Sequence, residues 1–353
     1  MKKIMAITGI MLVVAVLLFV ACSSDNGNSS STRNYLGTQS PGDVWSWTIV
    51  VDGGGNGTFE ATNETLVRNY SGTVSTLPNK YLKLLVTATT DTTLTVPATA
   101  YALEVPNTVL VVKPAKEGDN VIVAVALGSC PTQSATYNMV EMTMPGWSAA
   151  ANQAYSVATT TNFSGTAFDV GVQEYLLSGS TYTTKAVNGF TCSNGRITEP
   201  GEGTMTITPS GMVISDNGPG QGGASGMQAP AANVDLNDVV SAGREYRAVS
   251  FRNANAAGTD DISPHWARSN GTGGLSAGDY SDFETGTEAL VTASTITFGL
   301  QGSPGVVNGT FTEPNGGRTA AVFMINRVSS KYFIYGIKEE STSLAGIFIA
   351  IER

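Results

Sequence analysis

Apolar and polar residues alternate with a period of two along most of this chain. Trp45, Trp47, Ile49 and Val51 alternate with Ser46, Thr48 and Val50, and the run breaks at Asp52-Gly-Gly-Gly-Asn-Gly57, so a strand leads into a turn. Leu82, Leu84, Val86 and Ala88 alternate with Lys83, Leu85 and Thr87, and Tyr101, Leu103 and Val105 form a shorter alternation ended by Pro106-Asn107. Residues 121–127 are apolar throughout, which predicts a strand covered on both faces. The same texture returns at 204–208, 246–251, 295–300, 320–325, 332–337 and 346–351. Only residues 235–242 read as helical: Asp235 caps the segment, Leu236, Val239 and Val240 give it an apolar side, and Gly243 ends it.

Many short strands, Gly-rich turns and almost no helix predict an all-β protein of antiparallel meanders forming one or two β-barrels, with β-sandwiches as the alternative. A small-residue stretch at 148–153, after Pro145-Gly146-Trp147, marks the expected boundary between an N-terminal β domain at 43–147 and a C-terminal β domain at 148–353. The early Trp-bearing strand beginning Gly42-Asp-Val-Trp45 and a strand at the very C-terminus resemble lipocalin-like barrels in texture, a likeness that carries no binding residues with it. There is also an internal echo. Asn56-Gly57-Thr58-Phe59 returns as Asn308-Gly309-Thr310-Phe311, and Lys80-Tyr81 as Lys331-Tyr332. Either duplication or common hairpin chemistry explains it, and hairpin chemistry comes first, because Asn-Gly is a favoured turn pair.

The N-terminus sets the location. Lys2 and Lys3 precede an apolar run at 4–21, and Leu18-Phe19-Val20-Ala21-Cys22 resembles a bacterial lipobox, with Phe19 where leucine is usual. The resemblance implies a signal peptide at 1–21, cleavage before Cys22, a lipid on Cys22, and an exported lipoprotein in the cell envelope. Ser23 beside the lipidated cysteine is the kind of residue that goes with sorting to the outer membrane. An uncleaved transmembrane anchor is the competing reading, and it lacks a basic or aromatic anchor at its outer end. Residues 22–42 are Ser, Asn, Gly and Thr with hardly an apolar side chain, which predicts a flexible tether.

Charge narrows the partners. The signal holds two of the nineteen basic residues and no acid, leaving 17 basic against 28 acidic residues, a net −11. Such a surface repels phosphate backbones, so nucleic acid is not an expected partner. With Cys22 acylated, Cys130 and Cys192 are the remaining thiols of an exported chain, and they are expected to form a disulfide.

Several motifs offer chemistry and are refused by their context. Gly274-Leu-Ser276-Ala-Gly278 fits a nucleophile elbow, yet Asn270-Gly-Thr-Gly-Gly precedes it where a buried strand is needed. The single histidine, His265, lies before Ser276, and both are expected to be catalytically silent. Gly218-Pro-Gly220-Gln-Gly-Gly223 matches a dinucleotide fingerprint but is followed by Ala-Ser-Gly-Met-Gln-Ala-Pro230, with no helix to meet a pyrophosphate. One histidine leaves no zinc cluster. The acidic patch Asp279, Asp282, Glu284 and Glu288 lacks EF-hand spacing, so neither metal nor cofactor is expected. Trp45 and Trp47 share one strand face with Ile49, which favours core packing over sugar stacking.

Three function classes follow, in this order. The first is a non-enzymatic, lipid-anchored β scaffold that binds a small ligand or a protein partner. The second is a structural or surface-display module. The third is an envelope hydrolase using an Asp/Glu pair. An open cavity favours the first, filled barrels the second, and two close carboxylates with raised pKa the third.

Overall fold

The computed structural model describes residues 30–39, 42–116, 120–142, 153–199, 203–218, 222–252, 262–289, 294–341 and 344–353. The chain folds into three closed antiparallel barrels in sequence order. Barrel 1 is β1 (Ser31–Gln39), β2 (Asp43–Val51), β3 (Asn56–Asn63), β4 (Arg68–Thr76), β5 (Leu82–Thr89), β6 (Ala98–Val105), β7 (Val109–Lys113) and β8 (Ile122–Ala126). Barrel 2 is β9 (Thr136–Met142), β10 (Tyr155–Ser164), β11 (Ala167–Tyr175), β12 (Thr181–Ser193), β13 (Arg196–Thr198), β14 (Thr204–Ile207), β15 (Met212–Asp216) and β16 (Gly223–Gln228). A short helix, α1 (Leu236–Val239), follows, with Asp235 accepting the Asn237 amide as its cap. Barrel 3 is β17 (Glu245–Arg252), β18 (Ile262–Ser269), β19 (Gly274–Asp282), the hairpin arm β20 (Thr287–Glu288), β21 (Ser294–Ser303), β22 (Val306–Thr312), β23 (Arg318–Val328), β24 (Lys331–Ser341) and β25 (Leu344–Glu352).

Each barrel is an up-and-down meander whose first and last strands pair: β1 with β8, β9 with β16, and β17 with β25. The expected fold class is therefore the observed one, with three barrels where one or two were anticipated. The boundary expected at 147 falls instead inside barrel 2, between β9 and β10, which pair with each other. Residues 31–39, expected to belong to a tether reaching residue 42, instead form β1, which closes barrel 1. Its Tyr35 and Leu36 are the apolar anchors that a Ser- and Asn-rich reading overlooked.

The echo is not a structural repeat, and it is not a shared hairpin turn either, because Gly57 and Gly309 both lie within strands. Asn56 opens the third strand of barrel 1, whereas Asn308 lies in the fifth strand of barrel 3, so the two do not occupy equivalent places. A Cβ on Gly57 would meet the Val50 carbonyl oxygen at 1.8 Å, and one on Gly309 the Thr297 carbonyl oxygen at 2.4 Å, so both glycines admit the close approach of a neighbouring strand.

An eight-stranded barrel is just wide enough to be filled by side chains or to hold one small ligand. Barrel 1 is filled. Trp45 and Trp47 lie inside it with ring centroids 5.8 Å apart, against Tyr70 and Phe59, and only about 40 Å³ is left between them. Barrel 3 is filled by Phe298, Phe311, Phe323 and Phe348, mostly edge to face.

The outer faces of the barrels are buried too, against one another. Val121, Val123 and Val125 face outward into a shared core with Val140, Met212 and Ile214 of barrel 2 and Phe333, Ile347 and Ile349 of barrel 3. Ile122, Ala124 and Ala126 meanwhile face into barrel 1. That double burial is why residues 121–126 are apolar at every position, whereas Leu127, at the end of the run, is exposed.

Polar struts cross the same seams. Thr38 of barrel 1 donates to Asp216 of barrel 2, and Asn138 of barrel 2 donates to the Pro304 carbonyl of barrel 3 at 2.9 Å. The firmest strut is Tyr81, just before β5. Its hydroxyl donates toward the Ala248 and His265 carbonyls at 2.6 and 2.9 Å and accepts from the Ala248 amide at 3.0 Å. Ala248 and His265 are a facing pair in the β17–β18 ladder, so one hydroxyl from barrel 1 completes the backbone bonding of barrel 3. Tyr81→Phe should lower stability by about 1–3 kcal/mol, the cost of leaving buried backbone groups unpaired. Guanidinium unfolding tests this, and an unchanged midpoint would remove the strut.

Candidate functional site

Barrel 2 is lined differently from its neighbours. One end is closed by Tyr137, Phe168, Phe190, Ile197, Ile207 and Val213, all buried and inward-facing. Toward the other end the inward positions fall to small residues, among them Ser156, Ala158, Gly203, Ser215 and Ala224, and the barrel opens into a cavity of about 440 Å³. That is within the usual range for a small-molecule site. Its floor is apolar, with Met139, Val170, Phe190 and Met205, and its mouth carries Glu141, Glu174, Glu199 and Lys185.

Strand alternation places these groups. Met139 and Glu141 are two apart on β9, and Val170, Val172 and Glu174 are two apart on β11, so apolar floor and acidic mouth are successive inward positions of the same strands. Glu174 faces Ser156 across the β10–β11 ladder, and Ser156 in turn donates to Glu141 Oε1 at 3.3 Å. Gln153 donates to the same oxygen at 2.5 Å. Lys185 Nζ pairs with Glu174 Oε1 at 2.6 Å, while Glu174 Oε2 has no hydrogen-bond partner among the described residues although the residue is only 4% exposed.

Burial pushes the Glu141 carboxyl up to about 8, and the neighbouring Glu174 charge adds to the shift, while Ser156, Lys185 and Gln153 pull it back. Glu141 is thus mainly protonated at neutral pH, although it keeps accessible surface because it faces the cavity. Burial also raises Glu199, with Lys185 opposing the shift. Three carboxyl groups face one ammonium, and one buried carboxylate oxygen lacks a donor.

Cys22 and the signal lie outside the described residues. The sulfurs of Cys130 and Cys192 are 2.09 Å apart, with Cα atoms 5.6 Å apart. Cys130 lies in the connection from barrel 1 to barrel 2, and Cys192 faces the closed end of barrel 2. The expected bond therefore ties that connection to the closed end of barrel 2. Trp45 and Trp47 belong to the barrel 1 core, and Trp45 Nε1 donates to Gln39 at 2.9 Å.

In the dinucleotide-like glycine run, Gly218 follows β15, Gly223 opens β16, and residues 219–221 lie outside the described residues. A strand follows it where a nucleotide site needs a helix. The run lies between β15 and β16 in the chain, and Gly222 and Gly223 line the cavity. The acidic patch is divided among separate partners: Asp279 with His265, Glu284 with Lys83 and Tyr101, Glu288 with Arg268, and Asp282 with the amides of its own turn.

Ser276 and His265 are not brought together. Leu275 and Ala277 face inward on β19, so Ser276 points out of barrel 3, away from the face that carries His265. His265 meets Ser250 and Asp279 instead. Sequence reading missed Glu141, Glu174, Lys185 and Glu199, which are spread over almost sixty positions. The available signal was a charge at an inward position of an otherwise alternating strand, as in Met139-Val140-Glu141.

No family model matches the chain, and no curated protein does. Among solved structures, a similar chain is the isotype 1 transferrin binding protein B from serogroup B Neisseria meningitidis, with 12% identity, a TM-score of 0.29, and coverage of 88% of this chain and 66% of that one.

Proposed function

We propose that the protein is a lipid-anchored envelope binding protein, tethered through Cys22, whose second barrel holds a small amphipathic ligand. The observation that carries this is the 440 Å³ cavity in barrel 2, set between two filled barrels. Its apolar floor receives a hydrocarbon part. Its mouth, with Glu174 Oε2 lacking a donor, suits a head group that donates hydrogen bonds or carries positive charge. The two filled barrels and their shared core hold the open one rigid, which limits the ordering cost of binding.

Glu141 and Glu174 also support a second reading. A carboxyl held protonated beside an ionised one is an arrangement used for general acid catalysis of glycoside cleavage. Lys185 on Glu174 Oε1 favours binding, since it occupies an oxygen that a nucleophile or base would use. Glu141→Gln separates the two readings. It keeps the neutral, hydrogen-bonding shape, so binding of a neutral amphiphile such as decanol at pH 7 should persist, whereas acid catalysis should vanish.

Calorimetric titration with decylamine, decanol and decanoate tests the ligand reading directly. Decylamine should bind best and decanoate worst, and Ala158→Phe, which fills the cavity, should weaken all binding at least about tenfold. Absence of binding by all three, or equal binding to Ala158→Phe, would remove barrel 2 as the site. Cys22→Ser should shift the protein out of the membrane fraction, and retention there would place the anchor elsewhere.

A further inference from the structure

Barrel 3 holds a second group of reactive side chains, independent of the barrel 2 cavity. Ser250 Oγ lies 2.5 Å from His265 Nε2, and His265 Nδ1 lies 2.6 Å from Asp279 Oδ1. The three residues sit on the adjacent strands β17, β18 and β19. His265 is directly opposite Asp279, and Ser250 is two positions beyond Ala248, the residue opposite His265. Ala248, Ala267 and Ala277 on the same strands face inward, so the trio shares the inward face. Solvent reaches them, since the Asp279 side chain is 67% exposed and that of His265 17%.

The geometry points to Ser250 as a nucleophile activated by His265, with Asp279 as the positioning residue, acting on small carboxylic esters with an apolar acyl group. A nucleophile, a base within hydrogen-bond reach, and a third group orienting the base define this chemistry by geometry, whatever the chain order. Asp279 on Nδ1 fixes the tautomer in which Nε2, at the Ser250 hydroxyl, is the accepting nitrogen. The backbone of the base is itself held, because the Tyr81 hydroxyl bonds the His265 carbonyl. Phe348 pairs with Ser250 across β17 and β25, so the neighbour of the nucleophile on that side is an apolar ring held in place by the barrel core.

The step balances without redox chemistry. Ser250 Oγ attacks the ester carbonyl carbon as its proton passes to His265 Nε2. The bond to the leaving alcohol oxygen breaks as that oxygen takes the proton, which leaves an acyl-serine. Water then attacks the acyl carbon and gives a proton to Nε2, and Ser250 departs and recovers it. One ester and one water yield one acid and one alcohol.

The test uses the full mature chain with a fluorophosphonate probe and p-nitrophenyl butyrate. Wild-type protein should be labelled at Ser250, located by peptide mass. Ser250→Ala and His265→Ala should each lose labelling and slow ester turnover by about 10²-fold or more, with melting curves to confirm folding. Asp279→Asn should slow labelling and change its pH profile, and Asp279→Glu should restore part of the rate, which a purely structural aspartate would not do. Absence of labelling on folded wild-type protein, labelling at Ser276, or labelling that survives His265→Ala would each overturn the assignment. Decylamine binding in barrel 2 is measured separately and stands or falls without it.

Discussion

Replacing both Cys130 and Cys192 by serine is expected to lower the unfolding free energy by about 4 kcal/mol, the largest effect of any substitution proposed for the folded chain. The two positions are 62 apart in sequence, and closing a loop of that length in the unfolded chain removes entropy of that order. The bond also has a local task. Cys192 is a buried member of the inward-facing cluster at the closed end of barrel 2, and Cys130 packs on that cluster from the connection outside. Removing the bond therefore frees both the lead-in to β9 and the floor beneath the cavity. Guanidinium unfolding of the oxidised, reduced and doubly substituted proteins measures the loss. Alkylation of the unfolded protein before and after reduction counts the thiols. Two labels at Cys130 and Cys192 without reduction would show that the bond does not form, and equal midpoints for oxidised and reduced protein would show that it contributes nothing.

The elements were legible where one face of a strand meets a core and the other meets water. β2 shows this plainly, with Trp45, Trp47, Ile49 and Val51 all buried and Ser46 and Thr48 outside the core. Residues 121–126 were legible for the opposite reason, since continuous apolarity is what two buried faces require. The number of barrels was not legible. The outer faces of all three share one apolar core, so no solvated linker composition marks the seams. The small-residue stretch that looked like a seam at 148–153 connects two strands of one barrel.

The candidate sites were the least legible part. Glu141 and Glu199 approach only because β9 closes barrel 2 against β16, a pairing that bridges more than eighty residues. The trio in barrel 3 depends on register in the same way. A shift of one residue between β17 and β18 would turn Ser250 and His265 to opposite faces, and nothing in the local sequence around either residue fixes that register. The motifs that did stand out carry other tasks: the one at Ser276 lies within strand β19, and the one at Gly218 spans the connection from β15 to β16.

Glu141 should make the protein less stable as pH rises from about 4.5 to about 8, and Glu141→Gln should abolish that part of the decline. In the unfolded chain this carboxyl titrates at its ordinary 4.5, and inside barrel 2 it is held up to about 8. Below 4.5 both forms carry the proton and there is no penalty. Between the two values the unfolded chain has released a proton that the folded chain retains, so stability falls by about 1.4 kcal/mol for each pH unit. Above about 8 the folded form has released it as well, and the loss levels off. Across the window the difference is on the order of 3 kcal/mol, allowing for the water that the cavity admits. Burial raises Glu199, Asp216 and Glu104 in the same sense, but those groups remain in both proteins, so subtracting one unfolding curve from the other leaves Glu141 alone. Urea unfolding at pH 4, 6 and 8 should show the variant equal to wild type at the lowest pH and increasingly more stable above it. Parallel profiles would mean that Glu141 is solvated like a surface carboxylate. The same titration bears on the ligand, because a cationic head group beside Glu141 and Glu174 favours the charged carboxylate. Decylamine should therefore bind with release of a proton near pH 7, and it should flatten the wild-type pH profile toward that of the variant. A neutral alcohol of the same length should do neither.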